Sequence, residues 1–161
     1  MIFQTISAGF VTLGFAIMFN IRGRHLLYTS ICGSMSWLVY LLAKQYGCSE
    51  YMSYFIATMM IALYSEIGAR VWKTPVTTLL IAALIPMAPG GGIYRTMVSL
   101  INERFVEAAN NGIVTFGIAG SMAMGIVIVS TIFNAYSNFK RGSIPLVEKF
   151  KKNNDERLVT K

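Results

Sequence analysis

One stretch of the chain carries residue types suited to binding a small anion. It reads Pro86-Met87-Ala88-Pro89-Gly90-Gly91-Gly92, with Arg95 three residues further on. Proline lacks a backbone N–H and its ring clashes with the carbonyl four residues back, so a straight helix cannot run through this stretch. Gly90, Gly91 and Gly92 permit close backbone approach and unusual φ angles. A helix that restarts here presents N–H groups with no intrahelical acceptor, and such groups receive anions. Arg95, about a turn into that helix, adds a fixed guanidinium that matches a carboxylate. A second reading of Arg95 stays open. It lies 20 residues beyond Pro75, about 30 Å along an unbroken helix, which is the depth of a membrane interface.

Two further sites attract attention by charge or polarity. Glu66 and Arg70 are four apart with the acid first, the favourable order for a helical ion pair. They read either as an interfacial salt bridge or with Glu66 as a proton-coupling or gating carboxylate, Arg70 serving it. Asn20 closes the first apolar stretch and reads as a helix C-cap, with a coupling or gating contact as the alternative.

Other chemistry is poorly supported. Nothing resembles a nucleophile–base pair, and the triple glycine lacks the Lys-Ser/Thr of a phosphate-binding loop. His25 is the only histidine and stands among basic residues. Cys32 sits in an apolar run and Cys48 in the loop after it; 16 intervening helical residues rise about 24 Å, beyond disulfide reach. No catalytic residues, no metal and no cofactor are expected, and the chain does not read as an enzyme.

These residues need elements to position them, and composition says which kind. Of 161 residues, 55% are hydrophobic and 13% charged, with a mean hydropathy of +0.56. A soluble domain carries about 25% charged residues. The missing charge is explained if most of the surface faces a lipid bilayer. Spanning helices need about 20 apolar residues. Candidates are Met1–Phe19, Leu26–Ala43, Tyr51 to about Val71, a broken segment opened by Pro75, and Gly112 to about Ala135. The first has no basic n-region and no small-residue cleavage site, so it is expected to be a retained span. The broken segment is a half-helix, Val76–Ile85, then the proline–glycine stretch, then a more amphipathic half on which Ile93, Met97, Leu100, Ile101 and Phe105 recur at helical spacing. The last span is rich in small residues, with Ala119 and Ala123, or Gly117 and Ser121, four apart, a spacing that admits a neighbouring helix. Tyr28, Tyr40, Tyr46, Tyr51, Tyr54 and Trp72 fall near span ends, where aromatic belts occur.

Basic residues orient the chain. With five crossings, Arg22, Arg24, Arg70, Lys73 and the seven basic residues from Lys140 to Lys161 share one side, eleven against three (Lys44, Arg95 and Arg104). A re-entrant fourth segment would split them six against eight. The positive-inside rule prefers the first arrangement. The expectation is an all-α membrane protein with five transmembrane helices, the fourth broken, its N-terminus outside and its C-terminus cytoplasmic. Residues 1–139 form the membrane domain and 140–161 a basic cytoplasmic tail beside anionic lipid. That tail, rather than nucleic acid, accounts for the positive charge. Pro145 argues against one continuous helix through it.

The stretch Ile85-Pro86-Met87-Ala88-Pro89-Gly90-Gly91-Gly92-Ile93-Tyr94-Arg95-Thr96-Met97 resembles the signature of the threonine/serine exporter family. Gly14-Phe15-Ala16-Ile17-Met18-Phe19-Asn20 supports the resemblance, which covers about residues 1–137. It implies a small, C-terminal-type membrane domain of a split exporter, paired with a larger membrane subunit of the same family in the cytoplasmic membrane. It also implies Pro86, Pro89, Gly90 and Tyr94 as matched substrate-site positions. The substrate would be a small carboxylate-bearing molecule, threonine or serine, or a dicarboxylate such as succinate; Arg95 leans toward the amino-acid branch. Secondary transport is expected. The alternatives are a homo-oligomeric channel and a non-transporting scaffold subunit.

Overall fold

A computed structural model of the chain describes the backbone of residues 1–159 and the side chains of residues 1–137. The chain divides into two compact units, Met1–Val129 and Ser130–Lys161. The described residues are all helical, with no strand among them: α1 (Ile2–Met18), α2 (Arg24–Gln45), α3 (Glu50–Trp72), α4 (Val76–Leu84), a 3₁₀ turn (Ile85–Met87), α5 (Gly90–Ile101) and α6 (Phe105–Val159). The helix therefore continues past Pro145, contrary to the sequence expectation; a proline removes one rung of the ladder and leaves the others. The side chains of the expected basic tail, 140–161, lie outside the described residues.

Four helices end in the same way, with a left-handed residue and a backbone bond that reaches back five residues, the Schellman arrangement. After α1, Asn20 has φ 57° and the Ile21 N–H donates to Ala16 O at 3.0 Å. Gly47 (φ 81°) ends α2, and Lys73 (φ 54°) and Glu103 (φ 57°) end α3 and α5. At the other end of α3, Ser49 caps the start, its hydroxyl oxygen accepting from the Met52 N–H at 3.3 Å.

Small residues let the helices approach. Gly9 of α1 lies against Ser30 and Ser34 of α2, and Gly33 of α2 against Thr12 of α1. The Ser30 hydroxyl donates to Gly9 O at 2.8 Å. A Cβ at either glycine would collide with its neighbour, so this close crossing depends on both. The core gathers Cys32 and Tyr40 from α2, Ala57 and Ile61 from α3, Ala83, Met87, and Ile118 and Met122 from α6. Cys32 and Cys48 are both free thiols.

Pairings along the helices set their directions. Tyr64 pairs with Tyr28, and Tyr54 with Tyr40, so α3 runs antiparallel to α2. Gly117 lies against Tyr51, and Gly125 against Thr58 and the Phe55 carbonyl, so α6 runs parallel to α3. Gly92 meets Thr115 and Gly112 meets Thr96, so α5 and the start of α6 form an antiparallel hairpin. The α2–α3 loop and the α5–α6 hairpin thus share one end of the bundle, here the Glu50 end. Asn20, Trp72 and Pro75 share the other, the Trp72 end.

Among the described residues three helices are long and apolar enough to cross a membrane: Arg24–Gln45, Glu50–Trp72 and Phe105–Ser137. Val76–Met87 and Gly90–Ile101, bent by 52°, make a fourth if they count as one span. α1 is apolar but only 17 residues long, about 26 Å against a hydrocarbon core of about 30 Å. The protein is an all-helical, multi-pass membrane protein.

Candidate functional site

The proline–glycine stretch breaks the fourth segment where it was expected to, though the break is shorter. Only Ile85–Met87 and the following two residues leave the α-helix; Gly90, Gly91 and Gly92 already form the first turn of α5. The glycines do not extend the break because the first turn of a helix needs no upstream acceptor. The Gly90 N–H donates to Ala88 O at 2.7 Å and the Gly92 N–H to Pro89 O at 3.0 Å. The Gly91 N–H has no such acceptor among the described residues, and it is the donor this turn has to offer.

That turn lines a cavity of about 250 Å³ at the Glu50 end. Pro86, Pro89, Gly91, Gly92 and Arg95 all reach it, together with Trp37, Glu50, Tyr54, Asn111 and Thr115. The volume suits a molecule of a few heavy atoms, below the usual range for drug-sized ligands. Among the described residues neither Glu50 nor Arg95 forms an ion pair; the pairs there are Glu66–Arg70 and Arg104–Glu107. The cavity therefore offers one uncommitted cation, one uncommitted anion, a free backbone donor and an amide. Gly90 and Tyr94 stand outside the lining: Gly90 has open space around it, and Tyr94 is exposed.

The hairpin holds the cavity in shape. An added Cβ at Gly92 would run into the Thr115 side chain. The Thr115 hydroxyl is itself tied back to Asn111 O at 2.6 Å. Trp37 and Pro86 also wall a second, apolar cavity of about 280 Å³ against Phe3, Ala8 and Val11 of α1.

The other candidates lie at the Trp72 end. Glu66 is buried, 6% exposed, and its Oε2 stands 3.5 Å from Arg70 Nη2. The i,i+4 pair expected from sequence is therefore present. Asn20 takes the left-handed position just past the C-cap, Phe19, and its Oδ1 accepts from Arg22 Nε at 2.9 Å. Neither Glu66, Arg70 nor Asn20 lines the cavity.

Sequence reasoning missed Glu50, Trp37, Asn111 and Thr115 as site residues. One signal was available for Glu50. The basic-residue count already set the loop after α2 on the same side as Arg95, and Glu50 is the acid that opens the next helix. Asn111 and Thr115 carried no signal, since only the antiparallel α5–α6 pairing brings them to Arg95.

A spanning segment broken beside a small polar cavity is the arrangement many helical membrane transporters use to bind substrate. A family model described as "Threonine/Serine exporter, ThrE" matches residues 4–132, and the chain belongs to that family. It is 22% identical over 141 residues to an uncharacterized protein of Haemophilus influenzae, covering 83% of this chain and 48% of the relative. The chain thus spans about half the length of the curated relative it matches. No solved structure matches it.

Proposed function

We propose that the chain is one half of a secondary exporter for small amino acids, threonine or serine, working with a larger membrane subunit. Family membership supports export. The observation that carries the substrate class is the shared cavity of Arg95 and Glu50. A zwitterion offers a carboxylate to Arg95 and an ammonium group to Glu50. A dicarboxylate would set its second charge against Glu50, and like charges at close range repel.

In this reading five segments cross the cytoplasmic membrane, α1 included, since 17 residues is the lower end of the spanning range. The N-terminus and the Glu50 end lie outside; the Trp72 end and the tail lie in the cytoplasm, as the basic residues favour. Pro86, Pro89, Gly91, Gly92 and Arg95 contact substrate, with Gly90 and Tyr94 shaping the turn and its surroundings. Glu66, with Arg70, is the coupling or gating carboxylate, supported by its burial near a helix end. Asn20 holds the loop next to it. The half-length match to a longer relative supports a second subunit.

Counterflow of labelled threonine, serine and succinate into proteoliposomes tests this. It would be run with the chain alone and with a co-purified membrane partner. Saturable threonine or serine exchange that needs the partner is expected. Exchange by the chain alone would replace the two-subunit reading with a homo-oligomer, and preference for succinate would overturn the substrate class.

A further inference from the structure

The Trp72 end is packed with aromatic rings. Trp72 stacks on Tyr28 with centroids 4.4 Å apart and planes within 6°. Tyr64 and His25 stand tilted against the same indole at 5.9 and 6.0 Å. The Tyr64 hydroxyl donates to Tyr28 O at 3.0 Å, which fixes one wall of the cluster. Gly68 makes room for it: an added Cβ there would stand 2.5 Å from the Trp72 ring. One residue carries three ring contacts, and a glycine beneath it accommodates the indole.

Buried polar atoms stand on the elements that carry this cluster. Ser65, two turns before Trp72 on the same stripe of α3, is fully buried, and Glu66 is 6% exposed. Ser65 Oγ, Thr74 Oγ1 and His25 Nδ1 are buried without a hydrogen-bond partner among the described residues. A buried polar atom left unpaired is destabilising, a cost that contact with water removes. The packing is therefore held by ring contacts and opposed by unpaired polar groups, the balance expected of an element that opens.

We propose that Trp72 is the plug of a gate at this end. When its indole leaves the Tyr28 face and Gly68, water reaches Ser65. For its use in transport this rests on the exporter reading: one end of the bundle holds an open cavity, and the gate controls access from the other. The plug itself does not depend on what the cavity binds.

The test is thiol accessibility in the full-length chain. Ser65→Cys is introduced with Cys32→Ala and Cys48→Ser, and its modification by a water-soluble methanethiosulfonate reagent is timed in detergent. Trp72→Ala is expected to raise the rate about tenfold or more, the size of effect that removing a plug of about 1.4 kcal/mol gives. Gly68→Ala, which keeps the indole and pushes it out of its seat, is expected to raise the rate in the same direction. It keeps the test valid if Trp72→Ala does not fold. Unchanged rates in folded Gly68→Ala and Trp72→Ala chains would overturn the proposal. Raised rates in a chain that, even together with the co-purified membrane partner, fails to exchange threonine, serine or succinate would uphold the plug and retire the exporter reading instead.

Discussion

The two ends of the bundle are built from similar residues arranged to opposite effect. Each has aromatic rings donated by α2 and α3, and each has a glycine that lets another group come close. At the Glu50 end, Tyr40 meets Tyr54 at 4.6 Å and Trp37 at 5.3 Å, with Lys44 over the Tyr40 ring at 5.9 Å. Of those rings Trp37 and Tyr54 line a cavity, because the broken fourth segment stops short and turns away by 52°. At the Trp72 end no break intervenes, α4 starts directly opposite the end of α3, and Leu79 and Trp72 both close over Gly68. Rings alone do not decide whether an end is open. The backbone break does.

If that contrast is functional, changes at the open end alter substrate recognition and changes at the packed end alter coupling or access. The largest effect is expected from Arg95→Ala, since a charge-assisted contact is worth about 1.5–3 kcal/mol, a loss of up to about 100-fold in counterflow. Arg95→Lys keeps the charge without the planar fork and is expected to retain part of the activity. In the same assay Glu50→Gln is expected to weaken threonine exchange and spare succinate. Equal losses for both substrates would break the assignment of Glu50 to the ammonium group.

Glu66→Gln tests the packed end. It is expected to leave counterflow, which needs no driving force, near the parental rate while uphill accumulation under an imposed ion gradient falls about tenfold. Loss of counterflow as well would move Glu66 from coupling to the transport path. Gly92→Ala comes next in size. Its methyl group meets the Thr115 side chain, and overpacking of this kind costs about 1–3 kcal/mol. Counterflow is expected to fall, and Thr115→Ala in the same chain is expected to restore much of it. Failure of that second change to rescue would mean that the hairpin contact does not shape the cavity.

The sequence made some of this legible and hid the rest for identifiable reasons. Helix existence was readable from apolar runs, and the break from Pro86 and Pro89, because both are local properties of the chain. The Glu66–Arg70 pair was readable for the same reason. The extent of the break was misjudged, because three glycines look like loop and yet start α5. Partners from distant elements were beyond local reading. Asn111 and Thr115 reach the cavity only through pairing of α5 with α6, and Tyr28 was visible as a belt residue but not as the face on which Trp72 stacks.

The smallest expected effect separates structure from function at a single residue. Asn20 occupies a left-handed position, φ 57°, at the end of α1. A residue with a Cβ and no local hydrogen-bonding side chain pays about 1–2 kcal/mol there, whereas glycine pays none. Asn20→Ala is therefore expected to lower the thermal midpoint by about 2–8 °C, at the usual 2–4 °C or so per kcal/mol for a domain of this size. Asn20→Gly is expected to hold the midpoint close to the parental value while removing the side chain that accepts from Arg22. The glycine variant thus keeps the cap and deletes the chemistry. Parental counterflow and uphill transport in Asn20→Gly would confine Asn20 to ending the helix. A transport defect in a chain of unchanged stability would place its amide in the gating machinery of the packed end, beside Glu66 and Arg70.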